Sequence, residues 1–159
     1  MTSAYFTYDK GKVIQALRYH FITRKEIKLM MILVNLFAIL SAALFYLKKI
    51  SPLAFLISAF LWFVMMIMFW YILPMLIYKK SATFKDRFKT SFDEQGFTIE
   101  NDLGNRNWEW SQFSTSMESP HFIHLYFDNR SFFIIPKEAF TTEALQEARK
   151  ILRRNIKIK

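Results

Sequence analysis

Two apolar runs, residues 29–47 and 53–78, are separated only by Lys48-Lys49-Ile50-Ser51-Pro52, and neither contains an ionised side chain. At about 1.5 Å of helix rise per residue the first spans roughly 28 Å and the second roughly 39 Å, against a hydrocarbon core of about 30 Å. Buried helices of soluble proteins rarely sustain such a length without a polar face. The pattern is that of a two-helix transmembrane hairpin, residues 29–80, between flanks at 1–28 and 81–159. A cleaved leader is not expected: residues rich in Lys, Arg and aromatics precede the first run, and no small-residue cleavage site follows it.

Within the runs, Asn35, Ser41 and Ala42 are small or polar enough to face the second helix, and Pro74 falls near the end of the second run, where a kink is cheap. No Asp, Glu, Lys, Arg or His interrupts either run, which leaves a proton relay or ion path nothing to run on. Arg18, Arg24, Lys25 and Lys28 precede the first helix and Lys79, Lys80, Lys85, Arg87 and Lys89 follow the second, whereas the loop offers Lys48 and Lys49. The positive-inside bias therefore places both termini in the cytoplasm. Tyr46, Trp70, Tyr71 and Tyr78 sit where interfacial aromatics are expected.

The formal charge of +9 invites a nucleic-acid reading. By region the net charge is +4 over 1–28, +4 over 29–80, −3 over 81–141 and +4 over 142–159. The positive charge thus lies at the membrane border and in the last segment, and the middle of the C-terminal flank is acidic, the reverse of a DNA-reading surface. Anionic lipid is the expected partner and nucleic acid is not. Cysteine is absent, which removes disulfides and thiol chemistry.

The N-terminal flank opens with an alternating stretch, Ala4-Tyr5-Phe6-Thr7-Tyr8, and Asp9 stands at a helix N-cap position. Val13, Leu17 and Phe21 then recur every four residues, predicting an amphipathic helix with Lys12, Arg18 and Lys25 on its polar side. That helix either lies in the headgroup layer or packs on the C-terminal domain. The C-terminal flank changes period. Short strands are expected at 90–93, 97–101, 107–110, 113–117, 122–127 and 131–135, with turns at Glu94-Gln95-Gly96, Asp102-Leu103-Gly104-Asn105 and Asp128-Asn129-Arg130. Trp108 and Trp110, two apart, should share one strand face. Thr141 should cap a final helix, with Phe140 and Leu145 as its staple, Glu143 in the first turn and basic residues towards the end. The fold class is a membrane α+β protein: a hairpin plus an antiparallel sheet or small barrel closed by a C-terminal helix.

Catalytic signals are weak. His121 and His124, three apart in a strand, face opposite sides and cannot share a metal as a helical pair would, and His20 is distant. Ser114, Ser116 and Ser119 lack a nucleophile elbow and a convincing His and acid, and three glycines leave no phosphate loop. Neither an enzyme nor a cofactor is expected. The candidate binding residues are cations: Lys137, after the strand-ending Pro136, and Arg149, Lys150, Arg153 and Arg154 on the final helix. Lys137 would meet a lipid phosphate or a partner carboxylate at the open end of the barrel.

The order strand, helix, hairpin and basic connector, followed by Asp93-Glu94-Gln95-Gly96-Phe97, Trp110 with Phe113, and Phe132-Phe133-Ile134-Ile135-Pro136-Lys137-Glu138-Ala139-Phe140, resembles the bacterial YcxB-like membrane proteins over nearly the whole chain. The basic residue often expected after the lysine is Glu138 here. The resemblance implies a pleckstrin-homology-like C-terminal domain, a place in the bacterial cytoplasmic membrane and no established reaction. Together these readings predict a non-enzymatic inner-membrane protein whose cytoplasmic domain binds a protein partner or an anionic lipid headgroup, as adaptor, sensor or regulator. The second expectation is a subunit or assembly factor of a larger membrane complex that works through its hairpin.

Overall fold

The computed structural model describes residues 1–128 and 131–158, with Ala82 described by its backbone. It divides into two compact units, Met1–Ala16 with Ala82–Lys159, and Leu17–Ser81. The boundary falls inside helix α1, Lys10–Thr23. Asp9 caps that helix through its Oδ1, which accepts from the Lys12 amide at 2.8 Å, and Val13, Leu17 and Phe21 are all buried.

In the second unit, α2 (Lys25–Tyr46) and α3 (Pro52–Ile67) form an antiparallel pair. Neither has a buried residue, and both are long and apolar enough to cross a membrane, α3 together with its continuation to Lys80. The turn between them uses Lys48 in a left-handed conformation, φ 56°, and Ser51, whose hydroxyl caps α3 ahead of Pro52 in its first turn. Asn35 and Ser41 do face α3: Asn35 Oδ1 accepts from Trp62 Nε1 at 3.3 Å, and Ser41 Oγ is hydrogen-bonded to Ser58 Oγ. Phe45 stacks on Phe55 with ring centroids 4.6 Å apart, closing the turn end.

Beyond α3 the helix widens into a π segment, Met68–Ile72, and returns to α geometry as α4, Leu73–Lys80, with Pro74 in its first turn. An α-helical ladder would have residue 74 donate to the Trp70 carbonyl, and proline has no N–H to give. Arg18 Nε donates to that oxygen at 2.9 Å. Its guanidinium carbon lies 5.3 Å from the Trp70 ring centroid and 5.1 Å from that of Tyr71.

The first unit holds two three-stranded antiparallel sheets, β1-β2-β3 and β4-β5-β6, each a meander, where a single sheet or closed barrel was expected from sequence. No barrel closes. The strands are β1 Lys89–Phe92, β2 Gly96–Asn101, β3 Gly104–Glu109, β4 Thr115–Glu118, β5 Phe122–Tyr126 and β6 Phe132–Pro136. The break between the sheets is the 3-10 turn Trp110–Gln112, so Trp110 does not share a strand face with Trp108. Trp110 is instead sunk beside Phe92, its Nε1 donating to the Asp93 carbonyl at 3.0 Å, and Trp108 stays in β3, partly buried against Phe97 and Phe133.

Asp93 shapes the β1–β2 turn by accepting from the Gln95 and Gly96 amides at 2.8 and 2.7 Å. Gly96 is required there, because a Cβ would stand 2.2 Å from the Trp108 carbonyl oxygen. The expected turn at Asp128-Asn129-Arg130 falls largely outside the described residues, which omit 129 and 130. The N-terminal residues border β1 through the bridges Thr2↔Ser91 and Phe6↔Phe88, and residue 158 borders β4 through Ser116↔Ile158. Helix α5, Thr142–Asn155, is capped by Thr141 Oγ1, which accepts from the Ala144 amide. It lays Ala148 and Leu152 on the core that Phe92, Phe97, Phe113, Leu125 and Ile135 build.

Candidate functional site

The five cations singled out from sequence lie in the turn after β6, Lys137, and on α5, Arg149, Lys150, Arg153 and Arg154. Three elements bring two of them together on a carboxylate that the sequence did not mark: Glu118 at the end of β4. Its Oε1 accepts from Lys137 Nζ at 3.1 Å and from Arg149 Nη2, and its Oε2 accepts from Arg149 Nε at 3.1 Å. Pro136 ends β6 with no N–H for the ladder, and the 3-10 turn that follows aims Lys137 at β4. Arg149 reaches the same place from α5, one residue after the buried Ala148.

The bidentate guanidinium sets the electrostatics of this cluster. Hydrogen bonding to Arg149, aided by Lys137 and opposed by partial burial, holds the Glu118 carboxyl below the usual carboxylate range. The same bond raises the Arg149 pKa. Lys137 and Arg149 thus both engage a carboxylate of the chain itself. Glu138 is engaged as well, in an ion pair with Lys12 of α1.

The remaining cations lie outward. Lys150, Arg153 and Arg154 are exposed, and among the described residues Lys150 and Arg153 form no ion pair. Arg154 stands 3.9 Å from Glu94, with both side chains largely in solvent. Between Arg149, Arg153, Leu152 and β4 lies a cleft of about 90 Å³, too small for more than a few atoms.

The histidines and serines form one arrangement that sequence spacing hid. His124 of β5 is sealed in the core and its Nε2 is 2.9 Å from the hydroxyl of Ser119, itself buried, whereas His121 is exposed. A nucleophile needs a path for substrate, and a pair shut away from solvent offers none; the contact gives one nitrogen of a buried imidazole a partner. Among the described residues no group of three His, Asp or Glu side chains could hold a metal ion.

Glu118, Lys137 and Arg149 all fall within residues 92–152, and those residues match the family model described as YcxB-like protein. This region is YcxB-like. The match takes in β2 to β6 and most of α5, and it leaves the hairpin helices outside, a narrower extent than the whole-chain resemblance read from sequence. No curated protein and no solved structure matches the chain.

Proposed function

We propose that the chain is a non-enzymatic protein of the bacterial cytoplasmic membrane, anchored by α2 and α3–α4 as a hairpin with both termini inside. Its YcxB-like region, with the N-terminal residues that border β1, serves as a pleckstrin-homology-like cytoplasmic module that binds an anionic lipid headgroup or a protein partner. The observation that carries this reading is the contrast between the two units. Helices α2 and α3 are long and have no buried residue, while the other unit has a hydrophobic core and turns Lys150, Arg153 and Arg154 to solvent.

Each exposed cation near an anionic surface contributes about 1 kcal/mol, and the attraction fades beyond a Debye length of about 8 Å at physiological salt. Hydrogen exchange of the full chain in nanodiscs of phosphatidylcholine and of phosphatidylglycerol tests the lipid arm. Protection of α5 that requires the anionic lipid, falls in high salt and is weakened by Arg153→Glu with Arg154→Glu supports a headgroup surface. Equal exchange in both lipids leaves the protein partner as the module's ligand.

One observation favours the second reading, a subunit acting through its hairpin. Ala38, Ala42, Ser58 and Ala59 line a groove of about 330 Å³ on the α2–α3 pair, and small residues let a further helix approach closely. Affinity purification in mild detergent separates the two. Partners kept by a chain truncated after Lys80 belong to the hairpin, and partners lost belong to the module.

A further inference from the structure

Lys28 begins a groove of about 450 Å³ along α2, whose wall continues through Met31, Ile32, Leu36 and Ile39 and is completed by Ile22 of α1. Asn35, the other polar residue of the wall, has both ends of its amide engaged: Nδ2 donates to the Met31 carbonyl at 2.8 Å and Oδ1 accepts from Trp62. The groove therefore presents hydrocarbon along its length and one ammonium at its end. From Lys28 to Ile39 the helix rises about 16 Å, close to half of a hydrocarbon core of about 30 Å. That is the depth of one leaflet. Lys25, three residues earlier and also exposed, adds a second cation on the headgroup side, where lysine side chains extend towards water.

We propose that this groove holds one anionic phospholipid of the surrounding bilayer, its acyl chain along α2 between Ile22 and Ile39 and its phosphate at Lys28. The inference rests on the membrane reading of α2. It is independent of the α5 cations, which bind or fail to bind headgroups on their own.

Native mass spectrometry of the full chain released from neutral detergent tests it, with phosphatidylglycerol and phosphatidylcholine of identical acyl chains as probes. The expected result is about fivefold more retained phosphatidylglycerol than phosphatidylcholine, the attraction of one lysine to an anionic surface. Lys28→Glu should erase that preference and Lys28→Arg should keep it. Ile32→Trp, which fills the groove, should lower retention of both lipids, and Leu56→Trp on α3 should leave it unchanged. Equal retention of the two lipids, a preference that survives Lys28→Glu, or a lipid-free dimer in place of the lipid adduct overturns the proposal. Recovery of the chain in the soluble fraction without detergent overturns the membrane reading beneath it, whereas a membrane-bound chain with no preference overturns the lipid site alone.

Discussion

Arg18 donates from Nε to the backbone carbonyl of Trp70 at 2.9 Å, and that carbonyl is the one Pro74 cannot serve in an α-helical ladder. The guanidinium also lies over the Trp70 ring, so one side chain supplies a charge-assisted hydrogen bond and a cation–π contact at the point where the helix widens into its π segment. Arg18→Ala should cost on the order of 1–2 kcal/mol. In a Pro74→Ala background, where an N–H is again available at 74, the cost should fall to less than half of that. Thermal unfolding of the four proteins in one detergent closes this double-mutant cycle. An undiminished cost in the alanine background contradicts the account.

Trp110 shows the weight of the core beside Phe92. Trp110→Ala should destabilise the chain by about 3–5 kcal/mol, whereas Leu103→Ala, at an almost fully exposed hairpin tip, should change stability by less than about 0.5 kcal/mol. Urea midpoints measured in neutral detergent decide this. Similar midpoints would mean that the indole does not pack as described.

Gly96 tests the approach of two strands. Its Cβ direction points at the Trp108 carbonyl oxygen, and backbone cannot move aside as a side-chain tip can. Gly96→Ala should therefore cost about 1–3 kcal/mol, with the loss seen as faster hydrogen exchange in β2 and β3. Wild-type exchange in those strands would contradict it.

Much of this architecture is legible in the sequence, and the parts that are not have a common cause. The helix caps at Asp9 and Thr141 and the stop at Pro136 depend on residues within a few positions of each other, so local chemistry announces them. The division into two sheets is different. It hangs on Trp110 leaving the strand, and an apolar residue two after Trp108 reads as strand continuation whether the chain goes straight or turns. Glu118 was equally hidden, because its partners are 19 and 31 residues away in sequence. The Ser119–His124 pair lay within one hairpin, where spacing gave no sign that both side chains turn inward.

Glu118 gives a pH dependence with a definite sign. Its carboxyl titrates below the usual range, mainly through Arg149, so the unfolded chain binds the proton more readily than the folded one. The contribution is complete above the unfolded value, near pH 4.3, and is lost as pH falls through the lower folded value. Because 37 % of the Glu118 side chain is exposed, screening reduces the pair to on the order of 0.5–1 kcal/mol. Glu118→Gln should lower stability by that amount at neutral pH, and the gap between the two proteins should narrow below about pH 4. A gap of the same size at pH 3 and pH 7 would assign the effect to something other than this carboxylate.

The most direct measurement of the central claim, a membrane hairpin with both flanks in the cytoplasm, uses the absence of native cysteine. Single cysteines at Thr2, Ser51 and Asn155 can each be probed with a membrane-impermeant thiol reagent, first on intact cells and then after lysis. The account predicts labelling from outside at Ser51, and labelling at Thr2 and Asn155 only once the membrane is opened. Labelling of Thr2 or Asn155 in intact cells, or protection of Ser51, would contradict it.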